Sequence, residues 1–219
     1  MLHLLVNGFV TLFVIIDPLG LVPVFLALTP GVRAAHRRAI ALRASLIAGI
    51  ILSVFAVAGL TVLEALGITL GAFRVAGGVF LFWIAFELVF EKRGERKQKS
   101  AEEAVDDPEH DIAAFPLAIP LMAGPGAIAA VILLAGALPS LAGQLGLILV
   151  IAAALALSFA VLALAHTVER LLGPTSRAVI SRLLGVVLAA LAVQFVADGA
   201  KELMRTNDGL IAFLQNDPT

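Results

Sequence analysis

Residues Phe13-Val14-Ile15-Ile16-Asp17-Pro18-Leu19-Gly20-Leu21-Val22-Pro23 decide how this chain is read. A charge, two prolines and a glycine interrupt an apolar stretch long enough to cross a bilayer. In the other half, Ile119-Pro120-Leu121-Met122-Ala123-Gly124-Pro125-Gly126-Ala127 is interrupted in the same manner. Proline removes a backbone N–H and clashes with the preceding turn, while glycine takes backbone angles that other residues avoid. Unsatisfied backbone groups are costly in hydrocarbon, so such breaks persist only where protein or a water-lined cavity receives them. Interruptions at corresponding positions of two halves point to a ligand site between them.

The rest of the chain supports a membrane setting. Of its 219 residues 61% are hydrophobic and 14% charged, with a mean hydropathy of +1.05, against about half and a quarter in soluble domains. Crossing ~30 Å of hydrocarbon takes roughly 20 helical residues. Six segments qualify, near 3–28, 39–63, 69–90, 115–137, 144–166 and 182–204. The expected fold is therefore all-α, with six transmembrane helices of which the first and fourth are broken near the midplane. The N-terminus lacks a basic region and a cleavage site, so it reads as a retained span. Without cysteine there is no disulfide or thiolate chemistry. A net charge of −1 and the lack of a basic stripe argue against nucleic-acid binding. No nucleophile elbow, HExxH or P-loop is present, so an enzyme is not expected, and neither is a cofactor.

Twelve of the fifteen basic residues fall in the connections after spans one, three and five, leaving Arg74, Lys201 and Arg205 for the other side. By the positive-inside rule those three connections are cytoplasmic and both termini are not. A weak internal repeat supports this layout. Asp17-Pro18 aligns with Gly124-Pro125 at an offset of 107, and Arg74-Val-Ala-Gly77 with Arg182-Leu-Leu-Gly185 at 108. Two repeats of three spans insert in opposite orientations. The domains expected are a first repeat over 1–90, a charged and mobile cytoplasmic linker over 91–113, and a second repeat over 114–219.

Asp17 is the leading site residue. An ionisable group at membrane depth is a functional hypothesis by default, as a ligand for an ammonium, Na+ or H+. An aspartate before proline also caps the following helix, and the two roles are compatible. Pro18 and Gly20 belong to the same break. Pro120, Gly124, Pro125 and Gly126 offer backbone N–H groups at a half-helix start, which favour an anion. Gln194, deep in the last span, is a further candidate for contact with a broken helix or ligand. Other features read as packing or interface. Arg74 snorkels, Gly77 and Gly78 admit a neighbouring helix, Glu87 reaches the cytoplasmic interface, and Asp198 pairs with Lys201. No histidine has a partner at metal-ligand spacing, so no metal site is expected.

The run Asp17-Pro18-Leu19-Gly20 with Pro23-Val24-Phe25, then Arg74-Val75-Ala76-Gly77-Gly78, resembles the MarC (SnatA-like) membrane proteins. So do Phe115-Pro116-Leu117-Ala118-Ile119-Pro120, Gly124-Pro125-Gly126 and Val193-Gln194-Phe195. The resemblance covers nearly the whole membrane portion. It implies a multi-pass inner-membrane protein near the amino-acid exporters, some members carrying Asn at the first break. The function expected is secondary-active transport of small neutral amino acids, held as zwitterions at the paired breaks. The alternatives are efflux of drugs or other small metabolites, a channel, or a non-transporting scaffold. Expected partners are the substrate and membrane lipid, with homo-oligomerisation left open.

Overall fold

The computed structural model describes residues 2–105 and 111–215, and among these every regular element is helical. The helices are α1 (Leu2–Ile16), α2 (Pro18–Leu28), α3 (Ala34–Ala65), α4 (Leu70–Val89), α5 (Lys92–Val105), α6 (Pro125–Ala137), α7 (Leu141–Ala163) and α8 (Ala165–Gln215). A wider, irregular helical segment, Ala113–Met122, precedes α6. Five helices are long and apolar enough to cross a membrane, counting α1 and α2 as one. Ala113–Met122 and α6, bent by 57°, make a sixth if taken together. These spans match the six expected stretches to within a few residues, except the last, which starts earlier. There α8 begins at Ala165 and is interrupted at Gly173 (φ 61°) ahead of Pro174, so the connection into the sixth span is itself largely helical.

The first span is the most buried. Its residues Leu12, Ile16, Leu21 and Phe25 are fully enclosed, as expected of a helix apolar on every side. It ends at the buried Thr29, where the turn into α3 is held by Arg37, donating to Thr29 Oγ1 (3.1 Å) and the Val32 carbonyl (3.0 Å). Around this core α3, α4, α7 and α8 expose large apolar side chains such as Ile50, Val57, Leu149 and Val186. Scattered apolar surface is ordinary in a soluble protein; a continuous apolar exterior on long helices suits lipid.

Apolar side chains gain little by leaving lipid, so helix pairs here rely on close packing of small residues. The most extensive pairing is α4 with α8. A Cβ on Gly78 would lie 2.8 Å from the Ala192 carbonyl oxygen, and one on Gly199 2.7 Å from that of Gly71. The backbones meet where glycine permits it. Small residues of α3 and α7, among them Ser45, Gly49, Ser53, Ala152 and Ala156, line an apolar groove between these two helices.

The main departure from expectation is the linker. Residues 106–110 lie outside the described residues, but Lys92–Val105 is a helix and two of its cations are buried, Arg93 at 6% and Lys97 at 4% exposure. A run of Lys, Arg and Glu reads as a solvated segment. Arg93 and Lys97 are four residues apart and share one helix face, and that face turns inward to carbonyls that need donors.

Gly78→Val is expected to push α4 from α8 and destabilise the protein by about 1–3 kcal/mol, the usual cost of overpacking. Thermal unfolding in detergent measures this, with exposed Gly94→Ala as the control.

Candidate functional site

The break between α1 and α2 is a single residue. Asp17 adopts the left-handed conformation (φ 50°, ψ 65°), which aspartate tolerates better than most side chains. It is 5% exposed, and its Oδ1 accepts from the Gly20 amide at 3.0 Å, capping α2. A side chain on residue 20 would collide with that carboxylate, so the cap requires glycine there. Pro18 takes the first helical position, where its missing N–H costs nothing.

The carbonyls at the end of α1 have no helical successors. They are met from α5. Arg93 Nη2 donates to the Ile15 carbonyl, and Lys97 Nζ lies 3.3 Å from the Ile16 carbonyl and from that of Asp17, which also accepts from the Leu21 amide at 3.1 Å. Lys97 Nζ also donates to Asp17 Oδ2 at 3.1 Å, with the two side chains 5% and 6% exposed. Burial lowers the Lys97 pKa to about 8; the Asp17 carboxylate opposes this shift and the Arg93 charge adds to it. Burial likewise lowers Arg93, again against the pull of Asp17.

At the second break Phe115 and Ile119 are extended, and the bonds before Pro116 and Pro120 are cis. Gly124 precedes α6 and has no side chain to cap its first amides. A Cβ at Gly124 would strike the Pro120 carbonyl oxygen and one at Gly126 would strike Ile84, so both glycines answer to close approach. A cavity of about 230 Å³ opens at this helix start, lined by Ile15, Arg93, Lys97, Pro120, Gly124 and Gly126 among others. Two nitrogens of the buried Arg93, Nε and Nη1, have no hydrogen-bond partner. Helix amides, a guanidinium and an ammonium around one small cavity favour a negative ligand.

A second cavity of about 260 Å³ also reaches Arg93, and is lined by Asp17, Gly20, Glu87, Glu91, Arg177 and Ser181 among others. Glu87 is 6% exposed, and its Oε1 accepts from Trp83 Nε1 (3.0 Å) and Arg96 Nη1 (2.9 Å).

The candidates expected from sequence thus separate. Pro120, Gly124, Pro125 and Gly126 line the first cavity, Asp17 and Gly20 the second, and Pro18 neither. Gln194 is exposed on α8 and donates to Asp198 at 2.9 Å; it joins neither cavity. That bond takes the place of the Asp198–Lys201 pair expected there. Arg74, expected to snorkel, pairs with Glu202. The residues that sequence reasoning missed are Arg93 and Lys97, assigned to a solvated linker, and Glu87, assigned to the interface. The i,i+4 spacing of the two cations was the available signal.

The ion pair makes two measurable demands. Asp17→Asn keeps the cap on Gly20 but strips Lys97 of its counter-charge. It is expected to cost about 3–5 kcal/mol, and Asp17→Asn with Lys97→Met to recover only part of it, since Met also leaves the Ile16 carbonyl without its donor. Unfolding of both variants closes that comparison. Lys97 is also depressed in the folded protein from its ordinary 10.5 to about 8. The unfolded state therefore binds more protons between those values, and stability rises with pH across that window. Thermal unfolding of wild type against Lys97→Met should diverge from pH 8 to 10.5 and run parallel below pH 8.

Residues 2–204 match the family described as MarC family integral membrane protein. The chain is 39% identical over 202 residues to a membrane protein of Aquifex aeolicus, covering 92% of this chain and 94% of that one. It is 37% identical over 202 residues to the membrane protein YvbG of Bacillus subtilis, covering 92% and 96%. With the inner membrane protein MarC of Escherichia coli O157:H7 identity is 33% over 211 residues, covering 91% and 95%. No solved structure matches. A family match over nearly the whole length, joined to apolar helices of membrane-spanning size, makes this chain an integral membrane protein of the MarC family.

Proposed function

We propose that the protein is a secondary-active transporter of small neutral amino acids, built as two inverted three-helix repeats in the inner membrane. The observation that carries this reading is Arg93, a guanidinium 6% exposed with two nitrogens unpartnered beside the bare start of α6. Buried donors without acceptors are costly, and a carboxylate satisfies a guanidinium with two parallel bonds. The substrate's carboxylate is received there, between the break at Asp17 and the break at Gly124–Gly126. A cavity of about 230 Å³ is below the ~300–1,000 Å³ of drug-sized sites, which favours a small metabolite. In this proposal Asp17 carries the coupling charge, with Na+ or H+ competing against Lys97 for its carboxylate. The basic connections face the cytoplasm and the termini face away from it.

One observation favours a second reading, efflux of apolar molecules. The groove between α3 and α7 is larger, about 580 Å³. It is rimmed by side chains such as Leu46 and Ile50, 58% and 66% exposed, so lipid tails compete for it.

Flux into proteoliposomes decides between them, with a panel of labelled neutral amino acids and a lipophilic dye under imposed Na+ and H+ gradients. The expected outcome is saturable, gradient-dependent amino-acid uptake. Arg93→Lys keeps a charge but loses the planar fork, and should raise KM about tenfold or more with a smaller change in kcat, the scale of a lost charge-assisted hydrogen bond. Uptake that never saturates would indicate a channel, and uptake of the dye alone would indicate the efflux reading. Absence of any flux would leave a scaffold.

A further inference from the structure

We propose that the second cavity is a binding site for a primary ammonium group, received by Glu87. It deepens the transport reading and rests on it for the ammonium's owner, the amino end of the same zwitterion. Glu87 is 6% exposed and sits on a membrane-spanning helix. Its Oε1 is held twice, by Trp83 and Arg96, while Oε2 has no partner. A carboxylate fixed by one oxygen and bare at the other is positioned to accept something that is missing.

The neighbouring charges show what it accepts. Asp17 is engaged by Lys97 and the Gly20 amide, Glu91 by Arg182 at 2.9 Å, and Arg177 by Glu169. Arg93 points one nitrogen to Ile15 and lines both cavities. The unmet demands at this cavity are thus of both signs, the bare Glu87 Oε2 and the bare Nε and Nη1 of Arg93, and the complement of the first is a cationic donor. Among the described residues no three His, Asp or Glu side chains group to hold a metal ion. Hard cations take several oxygen ligands together, whereas an ammonium needs only hydrogen-bond acceptors and can share its N–H groups with water and Ser181, which also lines the cavity. Since Arg93 lines this cavity together with Glu87, a zwitterion whose carboxylate meets the guanidinium finds a carboxylate for its other end in the same lining. One fixed charge of each sign is what a molecule carrying both requires.

The protein carries its own reporter. Trp83 is the chain's single tryptophan, and its indole donates to Glu87 at 3.0 Å. Its fluorescence in lipid nanodiscs is followed during titration with n-propylammonium chloride, sodium chloride or tetramethylammonium chloride at constant ionic strength. A saturable change with propylammonium alone is expected, because tetramethylammonium has no N–H to donate. Glu87→Gln should raise the half-saturating concentration about tenfold or more, the scale of a lost hydrogen bond between charged groups. The exposed Glu64→Gln on α3 should leave it unchanged. An equal response to all three salts, saturation by sodium alone, no saturation, or an unaltered Glu87→Gln would each overturn the site. Should Glu87→Gln fail to fold, the three-salt comparison on wild type decides alone. Propylammonium binding without amino-acid flux would keep the site and remove the zwitterion. Flux without an amine response would keep the transporter and remove the site.

Discussion

A helix that stops inside a membrane leaves its last carbonyls facing an environment that offers no donors. In this protein the helix that stops is also the most buried span, so the shortfall lies at the centre of the molecule. Arg93 and Lys97 supply the missing donors from a helix composed almost entirely of polar residues. The price is two desolvated cations, met in part by the carboxylate of Asp17. Each partner justifies the others. The left-handed turn at Asp17 exposes the carbonyls, the carbonyls draw in α5, and α5 forms one wall of both cavities.

Much of this was legible in the sequence, and the rest has a common reason for being hidden. Spans, breaks and the glycine contact between α4 and α8 follow from local signals: hydropathy, proline, glycine and small-residue spacing. Asp17 was visible because a charge inside an apolar run is conspicuous on its own. Arg93 and Lys97 sit among like neighbours, where composition reads as solvated, and their burial depends on carbonyls 78 to 81 positions earlier in the chain. Glu87 was assigned to the interface because it lies one turn from Glu91; its partners Trp83 and Arg96 hold it inward instead. Gln194 has the opposite history. Its depth in the last span suggested a ligand contact, but the face it occupies is set by the packing of α8 on α4, and that face is exposed.

The two breaks differ in kind. The first has its cap, carbonyls and counter-charges supplied by protein. The second begins a helix with nothing on Gly124 to cap it and opens into a cavity. Paired interruptions in a sequence therefore do not contribute alike. One is a junction held by an ion pair, and the other opens a helix start to a cavity.

The length of α3 has a consequence of its own. At 32 residues it measures about 48 Å, while hydrocarbon accounts for ~30 Å. Leaning absorbs only part of the excess over the hydrocarbon, so the ends of α3 reach into the headgroup layers. Its Arg43 pairs with Asp111, which lies just before the irregular segment Ala113–Met122. The chain is thereby anchored on both flanks of residues 106–110, to the Asp17 turn through Lys97 and to α3 through Arg43.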